Sequence, residues 1–345
     1  MERYPEYFKN EEELEEALST PTTEVIELVK ELEGDIIFLG VAGKMGISMA
    51  RMARKACVVA GVKKRIFGVS RFSSEEQRLF LEESGIEIIK GDLIEQEFIN
   101  SLPDIKNVFY LAGMKFGTHG NESLTWAMNA YLPGLVAEKF KTARIVAFST
   151  GCVYPLVSHK SGGAIETDPP QPIGEYAQSC LGRERIFEFG SNKYQTSVSL
   201  IRLFYAVEMR YGVLVDIATK VFNEEPIDVT MGYANVIWQG DANAMILQAI
   251  NQCKSPAMPL NITGPELISI RETAIKFGEL MQKKVTIIGK ENETALLGNA
   301  RLSFKLFGKP KISVDKVIEW TAIWIEGEKK LLGKPTHFET RDGKY

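Results

Sequence analysis

Between Asp35 and Phe204 six short apolar runs alternate with segments of helical period, and this alternation leaves the chain very few ways to fold. The runs are 36–40 (IIFLG), 65–70 (RIFGVS), 86–89 (IEII), 107–112 (NVFYLA), 143–149 (ARIVAFS) and 199–204 (SLIRLF). Strands this short that are separated by helices join through right-handed crossovers into a parallel sheet covered on both faces. The expected class is therefore α/β, a doubly wound parallel sheet. Ligands on such a sheet bind at the carboxyl ends of its strands.

The first strand runs into Gly40-Val41-Ala42-Gly43-Lys44-Met45-Gly46, and a helical pattern follows from Gly46 to about Ala60. Glycines placed there allow a tight turn and let backbone amides approach a pyrophosphate at the helix N-terminus, where unpaired N–H groups and the helix dipole favour negative charge. This strand–turn–helix context points to a Rossmann-type dinucleotide site holding Gly40, Gly43, Lys44, Met45 and Gly46. The second strand ends Val69-Ser70-Arg71, without the carboxylate that an NAD-selective fold places against the adenine ribose. Arg71, with Lys44 as a second cation, suits a 2′-phosphate, so NADP(H) is expected over NAD(H).

Around this core the chain divides into a helical N-terminal extension (1–34), the dinucleotide-binding domain (35–205) and a smaller substrate-binding domain (206–345). The extension reads as two helical stretches split at Ser19-Thr20-Pro21, with Gly34 as the stop. Ser73 and Glu76 form a capping-box pair ahead of the next helix, and another helix is expected from about Glu122 to Phe140. After Phe204 the pattern loosens. A stretch around Ile217–Val221, helices near 241–251, 270–281 and 314–325, and a strand at 259–262 are expected.

Lys and Arg number 41 against 45 Asp and Glu, so no basic excess draws the chain to nucleic acid or an anionic membrane. A small-molecule substrate is the expected partner. Cys57, Cys152, Cys180 and Cys253 show no CxxC pairing, and His119, His159 and His337 are scattered, so neither a structural metal nor a disulfide framework is expected. The first residues, MERYPEYFKNEEELEEAL, lack the basic and apolar regions of a secretory signal, and no run of 18 apolar residues occurs. A cytoplasmic location follows as an expectation.

Further landmarks come in a telling order. Gly91-Asp92-Leu93 follows the third strand and Leu111-Ala112-Gly113 the fourth. Asn129 lies in the helix after that, and the fifth strand ends Ser149-Thr150-Gly151-Cys152-Val153-Tyr154-Pro155. Pro172, Gly174-Glu175-Tyr176-Ala177-Gln178-Ser179, Arg202, Asp241 and Asn261-Ile262-Thr263-Gly264 continue the series. In this order, with GxxGxxG glycine spacing, the chain from about Asp35 to Ile325 resembles the extended short-chain dehydrogenase/reductase family (NAD-dependent epimerase/dehydratase-like). The resemblance implies cofactor contacts at Asp92, Leu93, Leu111, Ala112, Gly113, Asn129 and Tyr176, beside those at the glycine turn and at Ser70 and Arg71. It implies a catalytic pair in Thr150 and Tyr176, a substrate pocket at Lys115, Thr150, Cys152 and Tyr205, and a homodimer formed through the helices at 122–140 and 176–190.

Two departures from that pattern stand out. The family has Tyr-x-x-x-Lys, where the lysine holds the nicotinamide ribose and favours the tyrosinate, but here Cys180 follows Tyr176 by four residues. Cys180 shares a helix face with Tyr176 yet offers no fixed charge. Arg183, seven residues after Tyr176 and roughly 10 Å along the axis, reads as an exposed helix arginine. After the sixth strand comes Tyr205 rather than the asparagine that nucleotide-sugar enzymes of the family tend to carry. The expected activity is an NAD(P)-dependent oxidoreductase or epimerase acting on a carbohydrate or sugar-acid hydroxyl, with Tyr176 exchanging the proton and Thr150 bonding the oxyanion. The alternatives are a dinucleotide-binding regulator, favoured by Cys180, and a nucleotide-sugar epimerase or dehydratase.

Overall fold

The computed structural model describes residues 4–115, 117–118, 120–334 and 336–343, so residues 1–3 and 344–345 of the terminal segments and His119 lie outside it. In chain order the first elements are α1 (Glu11–Leu18), α2 (Thr23–Glu31), β1 (Ile36–Leu39), α3 (Gly46–Ala60), β2 (Ile66–Ser70), α4 (Glu75–Glu83), β3 (Glu87–Lys90), α5 (Gln96–Ser101) and β4 (Asn107–Tyr110). Then come α6 (Glu122–Trp126), a π-helical turn (Ala127–Tyr131), α7 (Leu132–Lys139), β5 (Arg144–Thr150), β6 (Val157–Ser158), α8 (Gly174–Tyr194), β7 (Ser197–Leu203) and β8 (Tyr205–Val207). The remainder holds α9 (Val213–Phe222), β9 (Ile227–Asp228), β10 (Tyr233–Ala234), β11 (Val236–Trp238), α10 (Gln239–Gln248), β12 (Met258–Ile262), β13 (Ile268–Ser269), α11 (Ile270–Met281), β14 (Ile287–Ile288), β15 (Thr294–Ala295), α12 (Arg301–Phe307) and α13 (Val314–Glu326).

Seven strands form one sheet in the order β12-β7-β5-β4-β1-β2-β3. Every pairing in it is parallel. All four residues of β1 are buried, as expected of a strand covered on both faces. On one face Phe38, Phe109, Val146 and Ile201 pack with residues of α2, α3 and α10. On the other, Ile37, Leu39, Val108, Ile145 and Leu200 pack with Ile99, Val136 and Phe187 from α5, α7 and α8. The Rossmann-type α/β architecture is thus present, with one strand more than the six apolar runs before Phe204. The seventh, β12, comes from the segment after 205.

A second core gathers Trp238, Trp320 and Trp324 with apolar residues of α9 and α11. The two N-terminal helices go to different places. Phe8, Leu14 and Leu18, at and ahead of the end of α1, join this second core, whereas Val25, Leu28 and Val29 of α2 join the sheet core. The short ladders β8–β11, β9–β14, β10–β13 and β6–β15 support the second region.

Two local readings are corrected. The helix after β2 is capped by Ser74, whose extended backbone lets its side chain accept from Gln77 N–H, one residue beyond the expected Ser73. The helix expected at 122–140 is broken by the π turn, where Leu132 N–H bonds Ala127 O. Pro133 carries no N–H and could not have closed an α-helical bond to Asn129.

Candidate active site

The chain leaves β1 at Gly40 with φ +89°, a conformation that a side chain would strain, and a Cβ there would lie 2.7 Å from Ala112 N. At Gly46, the first residue of α3, a Cβ would lie 2.3 Å from Val41 O, so helix and turn meet only because this residue is glycine. Gly43 differs: its Cβ would meet nothing nearer than Gly40 O at 3.3 Å. It faces an opening. The α3 N-terminus has no side-chain cap and no acidic residue in its first turn; Gly46 N–H is taken by Gly43 O at 3.1 Å, and the amides that follow it in the first turn are the donors an anion would meet. This glycine-cleared, amide-lined cradle fits a dinucleotide pyrophosphate.

Beside it lies a cavity of about 250 Å³ whose wall includes Gly43, Lys44, Met45 and Gly46 from the turn. Leu111, Gly113 and Lys115 after β4 also line it, as do Thr150 at the end of β5, Tyr176 in the first turn of α8 and Tyr205 of β8. Residues from five separate stretches of the sequence therefore converge at the carboxyl ends of the central strands.

Thr150 accepts a hydrogen bond from Cys152 N–H at 3.2 Å, and its hydroxyl is hydrogen-bonded to the Tyr176 phenol. Burial holds the Tyr176 phenol well above the ordinary tyrosine range, and the Cys180 and Cys152 thiols push it the same way. Arg183 and the Thr150 hydrogen bond pull it down. Cys180 is fully buried, and its thiol is pushed up to about 11, chiefly by burial, with Arg183 again opposing.

Arg183 is the main correction to the sequence reading. It is not an exposed helix arginine but only 5% exposed, and it lines the cavity with Tyr176. Long side chains on a helix lean toward its N-terminus, which brings the guanidinium back along α8 toward Cys180 and Tyr176. Nη1 donates to Phe148 O at 2.9 Å and Nη2 to Asn129 Oδ1. A Cβ on Gly113 would lie 2.3 Å from Nη2, so glycine is required there for the arginine to fit.

Asn129 sits behind the cavity wall, fully buried in the π turn. Its side chain accepts from Met114 N–H and donates to Met114 O, both at 2.9 Å, which fixes the loop after β4. Lys44 does not assist Arg71. Its ammonium donates to Ala206 O at 2.7 Å and stands 3.8 Å from the centre of the Tyr211 ring. The strand preceding Ala206, β7, is four places from β2 in the sheet, roughly 19 Å at ordinary strand spacing. Burial pushes the Lys44 ammonium down to about 7, and it also lowers that of Lys115.

Ser70, Arg71, Asp92 and Leu93 lie at the ends of β2 and β3, outside the cavity wall. Arg71 is exposed, and its Nη1 lies 3.6 Å from Asp92 Oδ2. Asp92 also accepts from Ile94 N–H at 3.2 Å, while Leu93 packs into the core beside Ile99 and Leu102. Cys152 is half-buried and close enough to raise the Tyr176 and Tyr205 phenols.

Some wall residues carried no sequence signal. Tyr211 and Thr336 both line the cavity. Thr336 is held by Asp216, whose Oδ2 accepts its backbone N–H at 2.9 Å and its hydroxyl, and Lys115 donates to Thr336 O at 3.4 Å. Beneath Thr150 a buried polar chain supports the site. Ser149 donates to Glu184, Glu184 pairs with Arg202, Arg202 donates to the Tyr154 hydroxyl at 2.6 Å, and that hydroxyl donates to Asn261 Oδ1 at 3.0 Å.

Comparison with known proteins agrees with this fold. The family model described as the NAD dependent epimerase/dehydratase family matches residues 36–208. No curated protein matches the chain in sequence. Among solved structures, MoeE5 in complex with UDP-glucose and NAD is similar at 17% identity, with 86% of this chain and 99% of that chain covered and a TM-score of 0.69. UDP-glucuronic acid 4-epimerase from Bacillus cereus in complex with NAD is similar at 16% identity over 86% of this chain and 100% of that one, with a TM-score of 0.70. dTDP-glucose 4,6-dehydratase from Bacillus anthracis str. Ames in complex with NAD is similar at 16% identity over 86% and 97%, with a TM-score of 0.71.

Proposed function

Because the chain belongs to the NAD dependent epimerase/dehydratase family, we propose that it acts as an oxidoreductase or epimerase on a hydroxyl-bearing carbon of a carbohydrate or sugar acid. The observation that carries this reading is the Tyr176–Thr150 hydroxyl pair on the wall of a cavity that the glycine turn also lines. A bound nicotinamide dinucleotide supplies the hydride acceptor or donor. Tyr176 takes the alcohol proton during oxidation and returns it during reduction, while the Thr150 hydroxyl donates to the substrate oxygen as charge develops on it. The amides of the glycine turn and α3 bind pyrophosphate, and Asn129 holds the 111–115 loop in place. Lys115 and Tyr205 line the substrate side.

Arg71 supports a preference for NADP(H): it is exposed at the end of β2, and its neighbour Asp92 holds it only at 3.6 Å. The NAD in the similar solved structures belongs to those proteins. Their nucleotide-sugar ligands and names make a nucleotide-sugar epimerase or dehydratase the second reading. A homodimer is supported by apolar side chains left exposed on α6, the π turn and α8, namely Leu124, Trp126, Tyr131 and Phe189. Among the described residues no helix is long and apolar enough to cross a membrane, and all four cysteines are free thiols, which supports a cytoplasmic setting.

Turnover of a panel of sugars, sugar acids, polyols and nucleotide sugars, followed by nicotinamide absorbance, tests the assignment. Tyr176→Phe should lower the rate found by roughly a hundredfold or more and leave dinucleotide affinity nearly unchanged. Activity that survives the substitution removes Tyr176 from the chemistry. Cofactor binding with no turnover anywhere in the panel favours the regulator.

A further inference from the structure

Arg183 presents an imbalance of charge. Its guanidinium is buried, and among the described residues no carboxylate lies within ion-pair reach of it. Glu184, its chain neighbour, is committed to Arg202 through contacts of 3.0 and 2.7 Å. The Arg183 side chain is met instead by neutral acceptors, Phe148 O and Asn129 Oδ1, by the Tyr110 ring at 5.7 Å, and at Nε by no hydrogen-bond partner among the described residues. A buried cation without a counter-ion is costly and is retained where a negative charge forms beside it.

The groups that face Tyr176 show where that charge arises. From α8 these are Cys180 and Arg183, and from the end of β5 they are Thr150 and Cys152. Arg183 itself is faced by Cys180, Tyr176 and Glu184 on α8 and by Tyr110 of β4. Lys115 acts on this group from the loop after β4, through Cys152 and Cys180. Of these, Arg183, which lines the same cavity as Tyr176, is the cation whose field favours an ionised Tyr176. We propose that Arg183 is the positioning residue that makes Tyr176 a usable base: the counter-charge it lacks at rest is the phenolate formed when Tyr176 gives up its proton. Cys180 stands where a cation one turn from Tyr176 would be, and Arg183 supplies that cation from three residues further along, reaching back under Gly113.

This inference rests on Tyr176 as the proton-exchanging group, but its test needs no substrate, so its failure is separate from failure of the proposed activity. A fluorinated tyrosine, whose phenol is more acidic than tyrosine's, is incorporated at position 176 of the full chain and titrated by fluorine NMR, with and without NAD⁺. Arg183→Lys keeps the charge. Arg183→Gln removes it while keeping a donor for Asn129 or Phe148, and Arg183→Met removes both. The expected result is a phenol that binds its proton at least tenfold more tightly in Arg183→Gln and Arg183→Met, with Arg183→Lys close to wild type. Should Arg183→Met fail to fold, the Lys and Gln variants decide alone. Matching titrations in those two, or a titration in Arg183→Gln indistinguishable from wild type, would overturn the proposal.

Discussion

The Arg202 guanidinium grips the Glu184 carboxylate with two hydrogen bonds, Nε to Oε1 at 3.0 Å and Nη2 to Oε2 at 2.7 Å, and neither side chain is more than 4% exposed. This bidentate pair joins α8 to β7 directly beneath the strand end that carries Thr150. Truncating one partner leaves the other charged and buried. Glu184→Ala is therefore expected to destabilise the fold by about 3–5 kcal/mol, measured by urea denaturation. A loss below 1 kcal/mol would mean that water reaches the pair.

Cys180 and Arg183 predict a coupled effect. A lysine at position 180 would place an ammonium in a fully buried site next to a guanidinium already without a counter-ion. Cys180→Lys alone should lower stability, and adding Arg183→Met should recover part of it, with a coupling energy of about 1–3 kcal/mol. Strict additivity across the double-mutant cycle would show that the two positions do not share a field.

Much of this site is legible in the chain and some of it is not, for identifiable reasons. The inner strands are readable because they are apolar runs buried on both faces, as β1 and β4 are throughout, and the glycine turn because its residue types answer local steric needs at Gly40 and Gly46. Tyr176 and Thr150 lie at the ends of regular elements, so their meeting follows from the topology. Arg183 is misread because spacing along a helix axis ignores the reach and lean of a long side chain. Lys44 is half misread for a similar reason, since its ammonium crosses to a carbonyl 162 positions away. Thr336 is brought to the cavity by Asp216, a tertiary contact that no local pattern announces.

Arg71 makes a simple prediction about cofactor choice. If it pairs with a 2′-phosphate, NADPH should bind more tightly than NADH by roughly ten- to a hundredfold, the worth of a charge-assisted contact, and Arg71→Asp should abolish or reverse the preference. Calorimetry with both nucleotides is sufficient. Equal affinities in the wild type would leave Arg71 as the partner of Asp92 alone.

Lys44 predicts how stability depends on pH. Its folded value, about 7, lies below the ordinary lysine value of 10.5 because burial disfavours the ammonium. Above pH 7 the unfolded chain still holds a proton that the folded chain has released, so this group makes stability rise with pH through that window. Below pH 7 both states are protonated, and the cost of the buried ammonium is fully present. Lys44→Met should remove the rise, and the gap between wild-type and mutant urea midpoints should narrow from pH 7 to about 8, short of the ordinary cysteine thiol value of about 8.5. A constant gap would show that Lys44 keeps its proton in the fold.

The placement of β12 at the edge of the sheet bears on whether the two halves of the chain could ever exist apart. A fragment ending at 205 would contain the glycine turn, Thr150, Tyr176 and Arg183, yet it would leave the outer side of β7 unpaired from Ser199 to Leu203, the stretch that β12 pairs with in parallel register. An exposed strand edge of that length, carrying Leu200, Ile201 and Leu203, is a template for a second chain. Proteolysis or gene truncation between the regions should therefore yield an aggregating product rather than a small dinucleotide-binding module, and transplanting this site to another scaffold would require residues 258–262 to travel with it.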